Sequence, residues 1–255
     1  MPATFGLILD ETNARRLRRA APEVQLVLLE RTLFDPPRAA AASRWASRLQ
    51  RSFPNAELVP YVWHLVTHGA EDGLREHGSR TLEGPPQAFG QLQATAEVDR
   101  AWDALMQGVN ATGAKRLVMR TPPSITPGTL GRKRIATFVE AKRSAGVELV
   151  WEPQGLWSPI EASMFARELG IPMLHAAFVG GRPLFDDDDR PRLVAPDAWL
   201  RIDPTPRRPQ LSADQLDAII DHLDHCGDAT LVFTGPHAIA NLHRAHKDLV
   251  ASTTP

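Results

Sequence analysis

The sequence predicts a single (β/α)8 TIM-type barrel with parallel strands. Eight short apolar runs are spaced along the chain, and most are followed by a segment with helical periodicity. Runs that are apolar at nearly every position are typical of parallel strands buried on both faces. Glycine also closes four of the predicted helices, where a left-handed C-cap is needed, at Gly113, Gly146, Gly170 and Gly227.

A doubly wound open sheet is the alternative architecture for this pattern. That fold carries a glycine-rich phosphate-binding turn after its first strand. In this chain Asp10-Glu11-Thr12-Asn13 follows the first strand instead. The length of 255 residues suits a closed barrel, and no shift in composition marks a linker. We therefore expect one barrel domain over residues 1–255.

The predicted strands are short apolar runs, most of them with polar residues at their ends. They lie at 4–9, 24–29, 57–62, 116–119, 147–151, 171–178, 198–202 and 229–233. Helices are predicted from capping signals and from apolar residues at helical spacing. They lie at 11–19, 39–51, 98–111, 132–145, 159–169, 212–226 and 237–250. A long polar loop with several glycines covers 69–86 and is typical of a functional or mobile segment.

The fifth strand and its helix carry the clearest local signals. The apolar run 147–151 is too short for a helix, ends on Glu152, and is followed by Pro153 and Gly155. Ser158-Pro159-Ile160-Glu161 then supplies a serine N-cap, a proline at the first helical position and a capping-box glutamate. This order predicts a strand, a polar tip, a loop and a capped helix.

Composition excludes several classes of protein. The formal net charge is −1, which argues against a surface coated for non-specific nucleic-acid binding. No apolar run approaches the roughly 18 residues that span a bilayer, so we expect no membrane contact. The lone Cys226 cannot form an internal disulfide and fits a reducing compartment, so we expect a cytoplasmic protein. The sequence identifies no protein partner.

The carboxyl ends of the strands meet on one face of such a barrel, where barrel enzymes keep their active sites. Nine polar side chains are predicted there: Asp10, Glu30, His64, His68, Arg120, Glu152, His175, Asp203 and His237. Carboxylates with imidazoles are ligands for Zn²⁺ or Mn²⁺, and either metal can generate hydroxide from water. No tight ligand motif is present, so a divalent metal cofactor stays an open alternative.

Without a metal, two carboxylates would act as a general acid–base pair. The candidate catalytic residues are Glu152, His68, Glu30 and Asp203. The candidate substrate-binding residues are arginines for an anionic group and tryptophans for stacking, namely Arg120, Arg201, Trp63, Trp151 and Trp157. The structural alternative is that Glu152 forms an ion pair with Arg120 or Arg31. The acidic run 186–189 lacks the spacing of a calcium loop and is typical of a solvated segment.

Five segments carry a resemblance to a known family. They are Glu30-Arg31-Thr32-Leu33-Phe34, Leu65-Val66-Thr67-His68, Met119-Arg120-Thr121-Pro122-Pro123-Ser124, Trp151-Glu152-Pro153-Gln154-Gly155-Leu156-Trp157 and Trp199-Leu200-Arg201-Ile202-Asp203. Together they resemble the YecE-like barrel family, catalogued as domain of unknown function 72. The resemblance covers most of the chain and implies a barrel, while the family has no settled activity.

Four positions depart from that family pattern. Arg120 stands where the family usually has glutamine, Gln154 where it has arginine, Asp203 where it has histidine, and Tyr61 where it has lysine. The usual amino-terminal Gly-Thr-Ser-Gly-Trp block is absent. The resemblance therefore implies a divergent member whose site has been rewritten or lost.

These observations favour two functions. The leading interpretation is a barrel hydrolase that acts on phosphate esters or nucleic-acid-derived substrates, with Glu152 as its central carboxylate. The alternative is a non-catalytic barrel that binds a ligand or another protein.

Overall fold

The computed structural model describes residues 3–10, 21–179, 182–183, 198–203, 210–226 and 229–252. Its main sheet contains eight strands: β1 Ala3–Ile8, β2 Leu26–Leu29, β3 Glu57–Pro60, β4 Arg116–Arg120, β5 Glu148–Glu152, β6 Met173–Ala176, β9 Ala198–Ile202 and β10 Ala229–Phe233. The short strands β7 Phe178–Val179 and β8 Arg182–Pro183 form an antiparallel hairpin beyond β6. The predicted helix at 11–19, the acidic run 186–189 and Gly227 lie outside the described residues.

The eight strands close into a parallel barrel. Their order is β3-β2-β1-β10-β9-β6-β5-β4, and every pair in it is parallel. The two end strands meet through a parallel bridge between Tyr61 and Val118, where the Val62 N–H also donates to the Val118 carbonyl at 2.8 Å. Because the end strands meet, the barrel prediction is confirmed, and the open-sheet alternative is wrong.

Helices connect the strands on the outside of the barrel. They are α1 Arg31–Phe34, α2 Ala39–Ser52, α3 His64–Thr67, α4 Ala96–Thr112, α5 Thr129–Lys142, α6 Pro159–Leu169, α7 Ala213–Cys226 and α8 Ala238–Ser252. Gly113, Gly146 and Gly170 follow helical segments with φ of 71°, 75° and 65°, which confirms the left-handed C-caps. No helix in the described ranges is both long and apolar enough to cross a membrane.

Two parts of the chain differ from their predicted structure. The residues after β3 turn into the short helix α3, which the apolar continuation of the strand did not indicate. The predicted sixth strand, 171–178, is shorter and continues into the β7–β8 hairpin. In both places the chain leaves the sheet at the barrel rim, where tertiary contacts outweigh local propensity.

Residues alternate between the barrel interior and the helix-facing layer. One buried cluster fills the interior and includes Val118, Val150, Leu174, Trp199 and Val232. Two other clusters lie between the sheet and the helices. Side chains on a strand alternate between its two faces, so residues two positions apart point the same way. The residue two positions after the last interior side chain of a strand therefore points into the barrel mouth. This rule brings the polar strand tips together.

Thr32 ties β2 to the end of β3. Its buried hydroxyl accepts the Tyr61 N–H at 2.6 Å and lies 2.8 Å from the Leu29 carbonyl oxygen, to which it can donate. We expect Thr32→Val to lower the free energy of unfolding by about 1–3 kcal/mol, because a buried N–H loses its acceptor. Urea unfolding measures the loss. Thr32→Ser keeps the hydroxyl and serves as the control; equal stability of wild type and Thr32→Val would contradict the role.

Candidate functional site

Arg120 is the centre of an ion-pair cluster in the barrel mouth. Its Nε donates to Glu152 Oε2 and its Nη1 to Glu30 Oε1, both at 2.8 Å. The guanidinium also lies 4.8 Å from the centre of the Tyr61 ring, and Nη2 is 3.4 Å from the Tyr61 hydroxyl. Every nitrogen of Arg120 therefore has a partner within the cluster.

Glu152 is the most deeply buried member of this cluster, with a side chain only 2% exposed. Its Oε1 receives N–H groups from Arg120 Nη2, at 3.3 Å, and from Arg201 Nη1. Arg120 is the register partner of Glu152 on the adjacent strand. Arg201 lies on β9, and β6 separates it from β5, which carries Glu152. The residue of β6 that pairs in register with Arg201 is the small residue Ala176, and the Arg201 side chain reaches Glu152 across it. The structural ion pair with Arg120 is thus present, and Arg201 takes the second position instead of Arg31.

The cluster contains equal numbers of acidic and basic side chains. Burial opposes the charged form of Arg120, but the neighbouring charges of Glu152 and Glu30 raise its pKa above the ordinary value. Burial, and then the Glu152 charge, raise the pKa of the Tyr61 phenol well above its usual range. Two guanidinium groups therefore face two carboxylates beside a neutral phenol, and no net charge is left over.

His68 is a neutral imidazole close enough to the cluster for the charge of Arg120 to act on it. It is buried, and its Nδ1 is 2.7 Å from the Thr67 hydroxyl. Burial, and then the charge of Arg120, lower the pKa of His68 to about 3. The ring can therefore accept a hydrogen bond or a proton at neutral pH but holds a proton poorly.

His64 is a packing residue. Its Nδ1 lies 2.9 Å from the Leu33 carbonyl oxygen, which can only accept, so Nδ1 carries the proton. Burial lowers the pKa of His64 and keeps the ring neutral. His175 is also buried, with Nδ1 3.2 Å from the Ala176 carbonyl oxygen. Asp10 and His237 are partly buried.

Arg201 differs from Arg120 in having an unused donor. Its Nε is buried and has no hydrogen-bond partner among the residues that the structure describes, whereas Nη1 donates to Glu152. The Arg201 side chain is 28% exposed, against 12% for Arg120. A buried N–H without an acceptor costs free energy, so a ligand oxygen that satisfies it binds favourably.

The remaining predicted site residues lie apart from this cluster. Asp203 is exposed just beyond β9, so the cluster contains Glu30 as its second carboxylate. The three tryptophans are buried in the helix-facing layer. Their indole N–H groups donate within the protein, Trp63 to the Phe34 carbonyl, Trp151 to the Thr121 hydroxyl and Trp157 to the Ile125 carbonyl. Burial on both faces favours a packing role for these rings over ligand stacking.

The donor set does not fit Zn²⁺ or Mn²⁺. Across the residues that the structure describes, no group of three His, Cys, Asp or Glu side chains is arranged to hold a metal ion. Both Glu152 oxygens are occupied by guanidinium groups, so a divalent cation there would face Arg120 and Arg201 at close range. We therefore derive no metal-dependent step.

Tyr61 belongs to the cluster, although the sequence marked it only as a departure from the family pattern and not as a candidate site residue. It follows β3 by one residue and shares the interior face with Val59. The signal that identifies it is the alternation of faces, which places Tyr61 at the same level as Arg120 and Glu152. Neither its residue type nor its apolar neighbours marked it as part of a polar cluster.

Fold and site together define a TIM-barrel protein with a buried, charge-balanced ion-pair cluster at the carboxyl ends of its strands. No family model matches the sequence, and a comparison with curated proteins finds no significant match.

Solved structures share the fold over nearly the whole chain. A DUF72 family protein from Enterococcus faecalis V583 is 10% identical with a TM-score of 0.63, covering 98% of this chain and 96% of that chain. A DUF72 family protein from Thermotoga maritima MSB8 is 13% identical with a TM-score of 0.58, covering 97% and 99%. A D-psicose 3-epimerase is 10% identical with a TM-score of 0.55, covering 98% of each chain. The barrel that the YecE-like resemblance implies is thus confirmed.

Proposed function

We propose that the barrel mouth binds a phosphate ester, either a small molecule or a nucleic-acid-derived one, and that the chain is a divergent member of the YecE-like family. One observation carries the binding proposal. Arg201 holds a buried Nε–H without a hydrogen-bond acceptor in the described part of the chain, while Glu152 anchors the other side of the same guanidinium.

The anchoring of Arg201 suits anion recognition. A guanidinium presents donors in a planar fork that matches two oxygens of a phosphate group. Here Glu152 fixes the plane of that fork through Nη1, which leaves Nε as a donor held in a constant direction. Arg120 has no such donor left, so its role is to hold Glu152 and Glu30 in place.

The charge balance of the cluster affects which class of phosphate ester binds more favourably. Two carboxylates already offset the two guanidinium groups, so an entering ligand meets no excess positive charge. Burying a doubly charged monoester next to Glu152 costs more than burying a singly charged diester. The proposed ligand is therefore a phosphodiester in preference to a phosphomonoester.

Hydrolysis of this ester is the second candidate function, and His68 favours it. A neutral imidazole close enough to feel the charge of Arg120 can take a proton from water as the water oxygen bonds to phosphorus. The ester P–O bond then breaks, and the leaving alkoxide takes that proton back from the imidazolium. The low pKa of His68 makes the ring a weak base, so binding without turnover stays the first proposal.

We expect Arg201→Met to weaken phosphodiester binding at least about 10-fold, because a hydrogen bond to a charged group contributes roughly 1.5–3 kcal/mol. Isothermal titration calorimetry with diethyl phosphate and a dithymidine phosphate measures the wild type and the variant. Glucose 6-phosphate serves as the monoester probe, since one structural neighbour is a sugar epimerase. We expect the weakest binding for this monoester.

Two further variants make this test specific. Arg48→Met removes the same charge from the exposed face of α2 and should leave the affinity unchanged. Arg201→Lys keeps the charge but loses the planar fork, so it should recover only part of the affinity. Equal affinity of wild type and Arg201→Met, or no binding by the wild type at millimolar concentrations, overturns the proposal.

Release of p-nitrophenolate from bis(p-nitrophenyl) phosphate separates the two candidates. Turnover that disappears in His68→Ala supports the hydrolase. Binding of diethyl phosphate without turnover by the wild type leaves the binding barrel as the function.

A further inference from the structure

Three consecutive residues next to the candidate site have left-handed backbone conformations. Gly90, Gln91 and Leu92 have φ of 78°, 57° and 52°. Within the described ranges, Gln91 and Leu92 are the non-glycine residues with positive φ. Such a conformation costs an L-residue roughly 1–2 kcal/mol and persists only where surrounding contacts impose it. Contacts with surrounding residues therefore stabilise this left-handed turn.

The backbone of this turn closes the end of α3. Its three N–H groups donate to the last carbonyl groups of that helix, which would otherwise lack partners. The bonds are Gly90 N–H to Leu65 O at 2.8 Å, Gln91 N–H to Thr67 O at 3.1 Å, and Leu92 N–H to Val66 O at 3.0 Å. His68 is the next residue after α3, so the same bonds set the point from which its side chain leaves the backbone.

Gly90 packs directly on the peptide group of His68. A Cβ atom at position 90 would overlap the carbonyl oxygen of His68 and approach the amide nitrogen of Gly69. The left-handed turn and the backbone at His68 are therefore fitted to each other without room for a methyl group. A displacement of the turn moves His68 as well.

The Gln91 side chain anchors the turn to two neighbouring βα units. It is buried, and its Nε2 donates to Ser124 Oγ at 2.7 Å and to Glu71 Oε1 at 3.1 Å. Its Oε1 accepts from Arg134 Nη1 at 2.8 Å. Ser124 lies in the loop after β4 and Arg134 in α5, so the anchor bridges the loop after β3 to the next unit of the barrel.

We propose that Gln91 is a positioning residue that holds His68 at the barrel mouth. The side-chain anchor maintains the strained turn, the turn caps α3 and packs on the His68 peptide, and the imidazole is thereby kept in its buried position. The inference rests on the proposed function only in that His68 faces the ligand there. It concerns the placement of the ring and holds whether or not turnover occurs.

Titration of the His68 ring by NMR tests this proposal without ligand or activity. In the wild type we expect the His68 ring signal to show no protonation step above about pH 4, because burial and the charge of Arg120 keep its pKa at about 3. In Gln91→Met, which keeps the chain length and loses the anchor, we expect the His68 pKa to rise by at least one unit as the ring leaves its buried position.

Other variants separate positioning from general loss of structure. Gln87→Met makes the same change of side chain at an exposed position of the same loop and should leave the His68 titration as in the wild type. Ser124→Ala removes one of the partners of the Gln91 side chain and should give a smaller rise, and it serves if Gln91→Met does not fold. An unchanged His68 pKa in folded Gln91→Met, or in Ser124→Ala if Gln91→Met does not fold, overturns the proposal. Loss of phosphodiester binding by Arg201→Met bears on the proposed function alone.

Discussion

Glu152→Gln is expected to lower the free energy of unfolding by about 3–5 kcal/mol at pH 7, as when one partner of a buried ion pair is removed. The neutral amide removes the carboxylate charge that faces Arg201 and leaves Arg120 with Glu30 as its single carboxylate. The cost arises from buried guanidinium charge that water can no longer solvate fully. Urea unfolding followed by circular dichroism measures it.

An exposed ion pair supplies the matched control. Glu161 pairs with Arg132 at 2.8 Å, but both side chains are about a third or more exposed to solvent. Glu161→Gln should change the free energy of unfolding by less than about 1 kcal/mol, because solvent screens exposed pairs. If both variants lose the same small amount, the cluster around Glu152 does not stabilise the barrel. If Glu152→Gln keeps full stability and loses turnover instead, the carboxylate is catalytic.

The second large effect is a loss of stability at mildly acidic pH that depends on His68. The ring has a pKa of about 3 in the folded protein, against about 6.5 for an ordinary histidine in the unfolded chain. Between these values the unfolded chain binds a proton that the folded protein does not. The stability is therefore complete above about pH 6.5 and falls as the pH is lowered, by close to 1.4 kcal/mol per pH unit.

We expect the wild type to lose about 2 kcal/mol more than His68→Gln between pH 7 and pH 5, because the variant has no proton to gain at this position. The comparison uses the difference in slope, so a constant change in stability caused by the substitution does not affect it. Burial of His64 acts in the same direction in both proteins and cancels. His77→Gln, at an exposed position, should follow the wild-type slope. Parallel curves for wild type and His68→Gln would contradict the buried neutral ring.

Local signals predicted the secondary structure well for identifiable reasons. The capping residues of the fifth unit are recognisable because they act within one helical turn, and Ser158 does accept the Glu161 N–H. Glycine C-caps are equally local, since they depend on the φ of a single residue. The helix α3 was missed because its stability comes from the turn at 90–92, more than twenty residues away.

Part of the candidate site was predicted from the polar residues at the ends of the strands. Polar residues at strand tips meet in the mouth of a parallel barrel, and three residues expected there by this rule, Glu30, Arg120 and Glu152, lie together in the cluster. Arg201, which joins them, was expected only as a candidate for binding an anionic group. The same rule included Asp203, which lies one step beyond the end of its strand. It overlooked Tyr61, because alternation of faces is hidden in strands that are apolar on both sides.

By itself, the sequence determined the eight strands, most of the helices and the presence of Glu152 at a strand tip, because each depends on residues within a few positions of one another. Tertiary structure alone decided that Arg201 reaches Glu152 past Ala176, that Gln91 braces the turn behind His68, and that His68 is neutral. These features depend on barrel closure, on distances between segments far apart in the chain and on exclusion of water. None of these is encoded in a local pattern of residues.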